Sequence, residues 1–537
     1  MKEVDIIVIG GGAAGLMAAA GAAATAKAAR AAAQETREAG AAECAGQPTC
    51  TNKCNVLVLE KMPRPGRKIM ITGKGRCNFT NAKPWNEFSG HIHPKANFLK
   101  PAFYNLTAEK MIDFIERQGI ECVVERGDRA FPSSHHASEI VDALVKAAEQ
   151  AGAQIICNKE VRRIETPDLV GSDGDGRTCR SDGSGTKSDV IAGLTGNPCM
   201  SDGSGIKDNV IAGLTGNPCK RFRIKCSDGS EYSCSRLIIC TGGLSYPKTG
   251  STGDGFEWAK EFGHSVRPLF PSLTAIVPKG YKDLSTSLEM TKGALEMTKG
   301  ALEMTKGALE ITKGAKGHIH RNEPLSEIGK LLCGNQLKNV NLSLVIDGNE
   351  AASEFGDMDF TDGGIEGPIG FKVSRKCVNA IINGSKVAVI LDMKPAVGLE
   401  DLTVRINTLW NEVSKDKRNA SRQYKEKFRI LLSKVLPMSL VQGFIRLNPN
   451  TDHKTLAKAL KNWRFEIEGY VGYERCVITA GGISADEISP KTLESKLIAG
   501  LYFAGEVLDL DADTGGYNLQ AAFSTGYLAG QSAAKSL

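Results

Sequence analysis

The chain opens with Val4-Asp5-Ile6-Ile7-Val8-Ile9-Gly10-Gly11-Gly12-Ala13-Ala14-Gly15, followed by Leu16-Met17-Ala18-Ala19-Ala20. The β-branched apolar run predicts a strand covered on both faces, and the alanine-rich stretch predicts a helix. Between them, G-x-G-x-x-G gives the strand-turn-helix opening of a dinucleotide-binding fold. Gly10 permits the tight turn, Gly12 lets the backbone approach a pyrophosphate, and Gly15 lets the helix pack closely on the strand. The phosphates would then meet the helix N-terminus, where unpaired N–H groups and the dipole favour negative charge. With 59 glycines in 537 residues the bare motif can arise by chance, so the flanking strand and helix carry the reading.

The fingerprint also requires a carboxylate at the end of the second strand, customarily about 20 residues on, to bind a ribose hydroxyl. Glu35 has that spacing but lies in Ala-Ala-Gln-Glu-Thr-Arg-Glu-Ala, a helical composition with no strand before it. Asn55-Val56-Leu57-Val58-Leu59-Glu60 is a buried-strand pattern ending in an acid, and Glu60 is the choice. It implies an insertion of roughly 25 residues between Gly21 and Lys53, relative to the usual spacing.

Length and a 41% hydrophobic content suit more than one packed domain. No run of 18 apolar residues occurs, so no membrane span is expected, and the first strand enters the glycine turn without a signal-peptide pattern. A cytoplasmic location is the default expectation. The net charge of +6, read as spread along the chain, argues against a nucleic-acid partner. The fifteen cysteines include no C-x-x-C pair, and the cluster Cys44, Cys50, Cys54 fits neither a zinc ribbon nor a ferredoxin, so no metal site is assigned and a reducing compartment fits best.

From Lys61 to Asn81, glycines, cations and small polar residues alternate, as in a loop laid over a phosphate-bearing cofactor. Gly127 to Pro132 reads as a turn, Ala137 to Ala151 as an amphipathic helix, and Gln154 to Cys157 as a strand. SDGSGTKSDVIAGLTGNPC (181–219 with its second copy) is a tandem duplication of exposed-loop composition. The period-seven unit Leu-Glu-Met-Thr-Lys-Gly-Ala over 288–313 carries a glycine in every unit, which favours an expanded loop over a coiled coil. Arg236 to Gly243 is a strand ending in a small-residue turn, with a helix from Phe256 to Phe262. Residues 268–394 alternate in a β-rich pattern, 399–461 is helical and highly charged, and 466–479 returns to strand. Gly500 to Glu506 is again a strand ending in Gly-acid, and Gly515-Gly516-Tyr517-Asn518 enters an alanine-rich helix, Ala521 to Ala534, whose N-terminal N–H groups could stabilise charge on a cofactor ring. Three strand-to-glycine turns, near residues 10, 242 and 505, fit one parallel sheet with a dinucleotide across its carboxyl edge.

Gly75-Arg76-Cys77-Asn78, the run Gly243-Leu244-Ser245-Tyr246-Pro247-Lys248-Thr249-Gly250-Ser251-Thr252-Gly253, and Pro490-Lys491-Thr492-Leu493-Glu494-Ser495-Lys496 through Gly516-Tyr517-Asn518-Leu519-Gln520 resemble a bacterial family of flavoproteins with two dinucleotide folds. That family includes aminoacetone oxidase-like and bile-acid reductase-like (BaiN-like) proteins. The resemblance spans the chain outside the inserted segments. It implies an α/β fold: a Rossmann-like FAD-binding domain built from both chain ends (1–267, with insertions near 21–53 and 170–220, and 479–537). Within it would sit a β-barrel-like domain (268–398 and 462–478, repeat loop 287–317) carrying a helical insert (399–461). It implies FAD as cofactor, framed by Gly10, Gly12, Ala14, Gly15, Glu60, Lys61, Gly66, Lys68, Gly75, Arg76, Cys77, Asn78, Val124, Thr241, Gly242, Gly243, Gly505, Glu506, Gly515, Gly516, Tyr517 and Asn518.

A flavin supplies the redox chemistry while the protein supplies orientation, electrostatics and exclusion of water. The expected activity is transfer of hydride or electrons between bound FAD, a nicotinamide donor, and a small organic substrate or oxygen. No second G-x-G-x-x-G follows a strand, so NAD(P)H would dock without a fingerprint of its own. Cys77 lacks a resolving partner and reads as packing near the ring; His135 and His136 read as helix-entry or surface residues. Arg76, Tyr246 and Tyr517 are the polar candidates near the reacting atoms. The rival readings are an FAD-dependent enzyme acting on RNA and a non-catalytic flavin-binding protein.

Overall fold

The structure, a computed structural model, describes residues 1–38, 54–166, 222–284, 316–320 and 322–537. Its centre is a five-stranded parallel sheet in the order Leu501–Phe503, Arg236–Ile239, Ile6–Ile9, Val56–Leu59, Gln154–Ile156. Ile6 to Ile9 are all buried, as a parallel sheet covered on both faces requires. The Gly10, Glu60, Thr241 and Gly505 positions follow four of these strands, so all four reach the carboxyl edge together. The three glycine turns foreseen from sequence therefore belong to one sheet.

The two ends of the chain meet as helices. Ala13–Glu38 and Tyr517–Lys535 pack along each other through a seam of small residues. A Cβ at Gly526 would fall inside the radius of the Ala14 carbonyl oxygen, and one at Gly530 would do the same to Ala18. Ala18, Ala22, Ala529 and Ala533 are buried along this seam. An alanine-rich helix here is thus a packing requirement, because larger side chains would push the helices apart.

A second body is a closed six-stranded barrel: Ile276–Pro278, Gly364–Glu366, Asn349–Thr361, Gln336–Ile346, Val387–Asp392 and Trp463–Val471, the last pairing back onto the first. Paired strands Val266–Ser272 and Ile478–Ile483 run between sheet and barrel. The bidentate ion pair of Arg375 with the fully buried Asp511 carboxylate, at 2.8 and 3.1 Å, fastens the barrel's helix to the other body. Four α-helices, Leu399–Lys415, Tyr424–Val435, Val441–Leu447 and Leu456–Lys461, lie between two adjacent barrel strands.

Several details differ from the sequence reading. Gly367–Ile382 is a helix, although its Gly-Pro start reads as loop punctuation; Pro368 at the first turn is compatible with a helix start, and Ile369, Val373, Cys377 and Ile381 form its buried stripe. Glu327–Leu332 is a further short helix in the β-rich region. Arg129–Pro132 is not turn but strand, in a hairpin with Cys122–Glu125. Part of 61–81 forms short helical turns, Arg67–Met70 and Thr72–Gly75. The first helix continues into the insertion as far as Glu38 and includes Glu35, whereas the rest of that insertion, Cys44, Cys50 and both repeats lie outside the described residues. Nor is the charge spread along the chain. Residues 399–461 hold thirteen Lys and Arg against six Asp and Glu, a net of +7, so the remaining 474 residues together carry −1.

Gly530→Ala is expected to destabilise the protein by about 1–3 kcal/mol through overpacking of the helix seam. A thermal scan checks this, and an unchanged melting temperature would contradict the seam's role.

Candidate functional site

An open cleft spanning about 1160 Å³, part of it open solvent, runs along the carboxyl edge of the parallel sheet. Its floor is the first glycine turn. Gly10 adopts φ +99°, and a Cβ there would strike the carbonyl of Cys240 on the neighbouring strand. Gly15 lies against the Gly10 carbonyl, which brings helix onto strand as closely as the motif demands. Gly12 differs, since nothing lies within 4 Å of where its Cβ would be, and it faces the cleft.

Glu60 ends the second strand in the cleft wall. Its carboxylate accepts from the Gly11 N–H at 2.6 Å and the Met62 N–H at 2.7 Å. Burial pushes its pKa up, and those two N–H donors offset part of the rise. Five cations line the cleft: Lys61, Arg64, Arg67, Lys68 and Lys159. Lys61 pairs with Asp254 at 2.7 Å and bonds Thr252. Lys68 donates to Ser245 and to Glu506, the latter at 2.6 Å. Glu506 also accepts from the Ser245 hydroxyl and the Thr479 N–H, so it is held by three donors from three segments. Arg67 makes no ion pair with any described residue. On the opposite wall Asn518 and Leu519 begin the last helix. Asn518 bridges both backbone groups of Ala512, donating to its carbonyl and accepting from its N–H, and donates also to the Asp513 carbonyl.

The expected residues thus divide. Gly10, Gly12, Ala14, Glu60, Lys61, Gly66, Lys68, Thr241, Gly242, Gly505, Glu506 and Asn518 line the cleft; Gly15, Gly75, Arg76, Cys77, Asn78, Val124, Gly243, Gly515, Gly516 and Tyr517 do not. Arg76 is held away by Glu125 and His135, with its guanidinium 4.4 Å from the centre of the Phe131 ring. Val124 is half exposed on the outer hairpin strand. Tyr517 is buried, stacked 4.3 Å from His91, and its hydroxyl is pushed up to about 12 by burial. Tyr246 sits at φ +52°, capping a short helical turn, and is also outside the lining. His136 occupies the N-cap position of the helix Ala137–Ala151 without a side-chain capping bond. Lining residues missed from sequence include Arg64, Arg67, Lys159, Asp254 and Trp258. The first two sit in the cation-rich loop, whereas Lys159 and Trp258 carry no local signal.

The wall suits a long anionic dinucleotide. An open glycine beside a helix N-terminus, a carboxylate at the second strand end and five cations match the chemistry of pyrophosphate and ribose. The Thr241 hydroxyl is buried against Gly255 behind this wall and has no hydrogen-bond partner among the described residues. No cluster of metal-ligating side chains occurs among the described residues.

Fold and cleft together define a Rossmann-type dinucleotide-binding protein. The chain belongs to the HI0933-like protein Rossmann domain family, whose model matches residues 38–175 and 186–532. Similar curated proteins include a ribosomal RNA dihydrouridine synthase of Haemophilus influenzae, 25% identical over 91% of this chain and 95% of the relative. A 3-dehydro-bile acid delta(4,6)-reductase of Clostridium scindens is 26% identical over 89% of this chain and 93% of that one. A second ribosomal RNA dihydrouridine synthase, from Escherichia coli, is 24% identical over 99% and 98%.

Cys77 is fully buried among Leu16, Ile69 and Phe79, and burial pushes its thiol up to about 12. At pH 8 it should hold almost no thiolate. Peptide mapping after iodoacetamide is expected to find Cys77 unmodified in the native protein and modified after denaturation; native labelling would contradict the packing role and show a reactive thiol.

Proposed function

We propose that this chain is an FAD-dependent reductase that saturates a carbon–carbon double bond conjugated to a carbonyl, with NAD(P)H as the electron source. The carrying observation is the cleft itself, in which both chain ends bring a dinucleotide-binding wall to one sheet edge. FAD, when bound, supplies the two-electron chemistry. Glu60 would hold the ribose, Gly12 and the first helix N-terminus the pyrophosphate, and the start of the last helix the ring. Lys68, locked by Glu506, would keep a fixed ion pair in the wall, where preorganised dipoles are most effective. The relatives' names support the choice of bond. One reduces a 3-dehydro bile acid, and dihydrouridine is uridine with its C5=C6 bond saturated; in both types of compound the double bond is polarised by a carbonyl. The net reaction balances as NAD(P)H, a proton and the unsaturated substrate giving NAD(P)⁺ and the saturated carbonyl compound.

A second reading, in which the double bond is that of a nucleobase within RNA, is favoured by the two relatives named as ribosomal RNA dihydrouridine synthases.

Protein purified without added flavin is expected to absorb at about 450 nm, to bleach anaerobically with NADH or NADPH, and to recover colour on adding 2-cyclohexenone. Resistance to both donors would remove the nicotinamide half of the proposal. Bleached protein that no conjugated carbonyl reoxidises would remove the substrate half. Glu60→Ala strips a hydrogen bond to a charged group, worth about 1.5–3 kcal/mol, so flavin should bind tenfold or more weakly. Equilibrium titration of apoprotein with FAD checks it, and wild-type affinity would move ribose recognition elsewhere.

A further inference from the structure

We propose that His91 and His93, both bound to the carboxylate of Asp513, tune the cleft's flavin, their charge setting how readily it accepts electrons. This rests on the reading of the cleft as an FAD site and deepens it by naming the groups that regulate it. The tuning is read as a reduction potential, apart from turnover.

The first observation is connectivity. Asn518, at the start of the last helix, lines the cleft, and its side chain donates to the Asp513 carbonyl at 3.2 Å. The Asp513 N–H donates to the His91 carbonyl at 3.0 Å. Strand Ile92–His93 pairs antiparallel with Asp511–Ala512, and Asn518 holds both backbone groups of Ala512. The Asp513 carboxylate accepts from His91 Nδ1 at 2.9 Å and from His93 Nε2 at 3.2 Å. His91 also stacks at 4.3 Å on Tyr517, the neighbour of Asn518 in the helix. The cluster is thus joined by one hydrogen bond to a side chain of the cleft wall.

The second observation is what the lining lacks. Among the described residues no histidine or tyrosine lines the cleft. Its lysines Lys61, Lys68 and Lys159 are already paired, with Asp254, Glu506 and Asp228. Histidine is the side chain whose ordinary titration falls between pH 5 and 8, and His91 and His93 bring that property to the edge of the wall. Both rings are partly exposed, so they exchange protons with solvent.

The third observation is charge. Burial alone would raise the Asp513 carboxyl, but the hydrogen bonds from both imidazoles outweigh it and hold it at about 2. The carboxylate therefore stays ionised while imidazole titrates. With both rings neutral the cluster carries one net negative charge, and with both protonated one net positive charge. The other charged groups near Tyr517 are Lys83, Glu87 and Asp128, joined in two ion pairs through Lys83. Those near the adjoining Asp509 are Asp511, Arg267, Arg375 and Lys95; Arg375 pairs with Asp511, and Arg267 and Lys95 with Asp486. Burial, and then the Asp511 charge, push the Asp509 carboxyl up, so Asp509 serves as a control below.

A hydride passed from NAD(P)H to a neutral flavin ring leaves NAD(P)⁺ and adds one negative charge to the ring. A net positive cluster beside the helix start stabilises that charge and a net negative one opposes it, in a Coulomb interaction that weakens with distance and salt. By reciprocity, flavin reduction raises the proton affinity of the imidazoles.

The test uses full-length, flavin-loaded protein, its midpoint potential measured by dye-coupled anaerobic titration at a series of pH values from 5 to about 9. His91→Asn combined with His93→Gln keeps an amide N–H where each imidazole nitrogen bonds Asp513 and removes the titration. The wild-type potential should fall more steeply with pH than that of the double variant. The two curves should lie furthest apart at the acid end, wild type higher, and converge at alkaline pH. Asp513→Asn should raise the potential at alkaline pH, and Asp509→Asn should keep the wild-type steepness. Flavin content and melting temperature, measured alongside, show that each variant is loaded and folded. Should the double variant not retain flavin, His91→Asn alone is expected to remove part of the steepness. A histidine variant whose curve superimposes on wild type, or steepness lost in Asp509→Asn, would overturn the proposal. Reduction of 2-cyclohexenone is read on the same wild-type preparation. If it occurs while the histidine variants leave the potential unchanged, the tuning is wrong and the reductase reading stands; if the tuning is seen and no conjugated acceptor is reduced, the reverse holds.

Discussion

The close approach of the first and last helices is the contact on which the rest depends. Ala13–Glu38 and Tyr517–Lys535 lie more than 470 residues apart in sequence, yet Gly526 and Gly530 touch the Ala14 and Ala18 carbonyls. Only residues without a Cβ permit that approach, and dispersion forces fall steeply with any gap. Once the seam forms, strand Leu501–Phe503 pairs beside Arg236–Ile239, and Gly505 and Glu506 arrive opposite Gly10 and Glu60. The dinucleotide wall is therefore a product of long-range closure. Neither end of the chain contains it alone.

Local patterns in the sequence were enough for the sheet and much of the cleft. Ile6–Ile9 and Val56–Leu59 read as buried strands because a parallel sheet covered on both faces leaves no polar alternation. Glu60 could be preferred to Glu35 because a strand precedes one and a helix surrounds the other, and Glu35 does lie within the first helix. The misses have equally physical causes. The helix Gly367–Ile382 was hidden by glycine and proline at its start, residues that mark a loop and also suit a first turn. Arg76 and Tyr517, expected as polar groups near the ring, lie outside the cleft lining and contact Glu125 and, for Tyr517, His91 and Phe88. Which partner a side chain finds is decided by tertiary contacts that local sequence does not specify. Charge was a different case: the concentration in 399–461 was present in the sequence and emerges only when counted by segment.

The cleft couples burial to charge. Glu506 accepts three hydrogen bonds and pairs with Lys68, and Lys61 is tied to Asp254, so most of the wall's charges are neutralised before any ligand arrives. A buried charge without such partners would cost several kcal/mol. What stays available is the open face of Gly12 and Arg67, which forms an ion pair with no described residue. These sit where a dinucleotide's polar groups would run, while the barrel, joined by Arg375 to Asp511, is fixed beside the same edge.

The most direct measurement is the identity and amount of the cofactor released on acid precipitation of the purified protein, resolved by chromatography against FAD and FMN standards. A cleft built for ribose, pyrophosphate and ring calls for FAD, one per chain. Release of FMN would contradict the pyrophosphate and Glu60 assignments, and a protein that neither carries flavin nor takes up FAD would contradict the site as a whole.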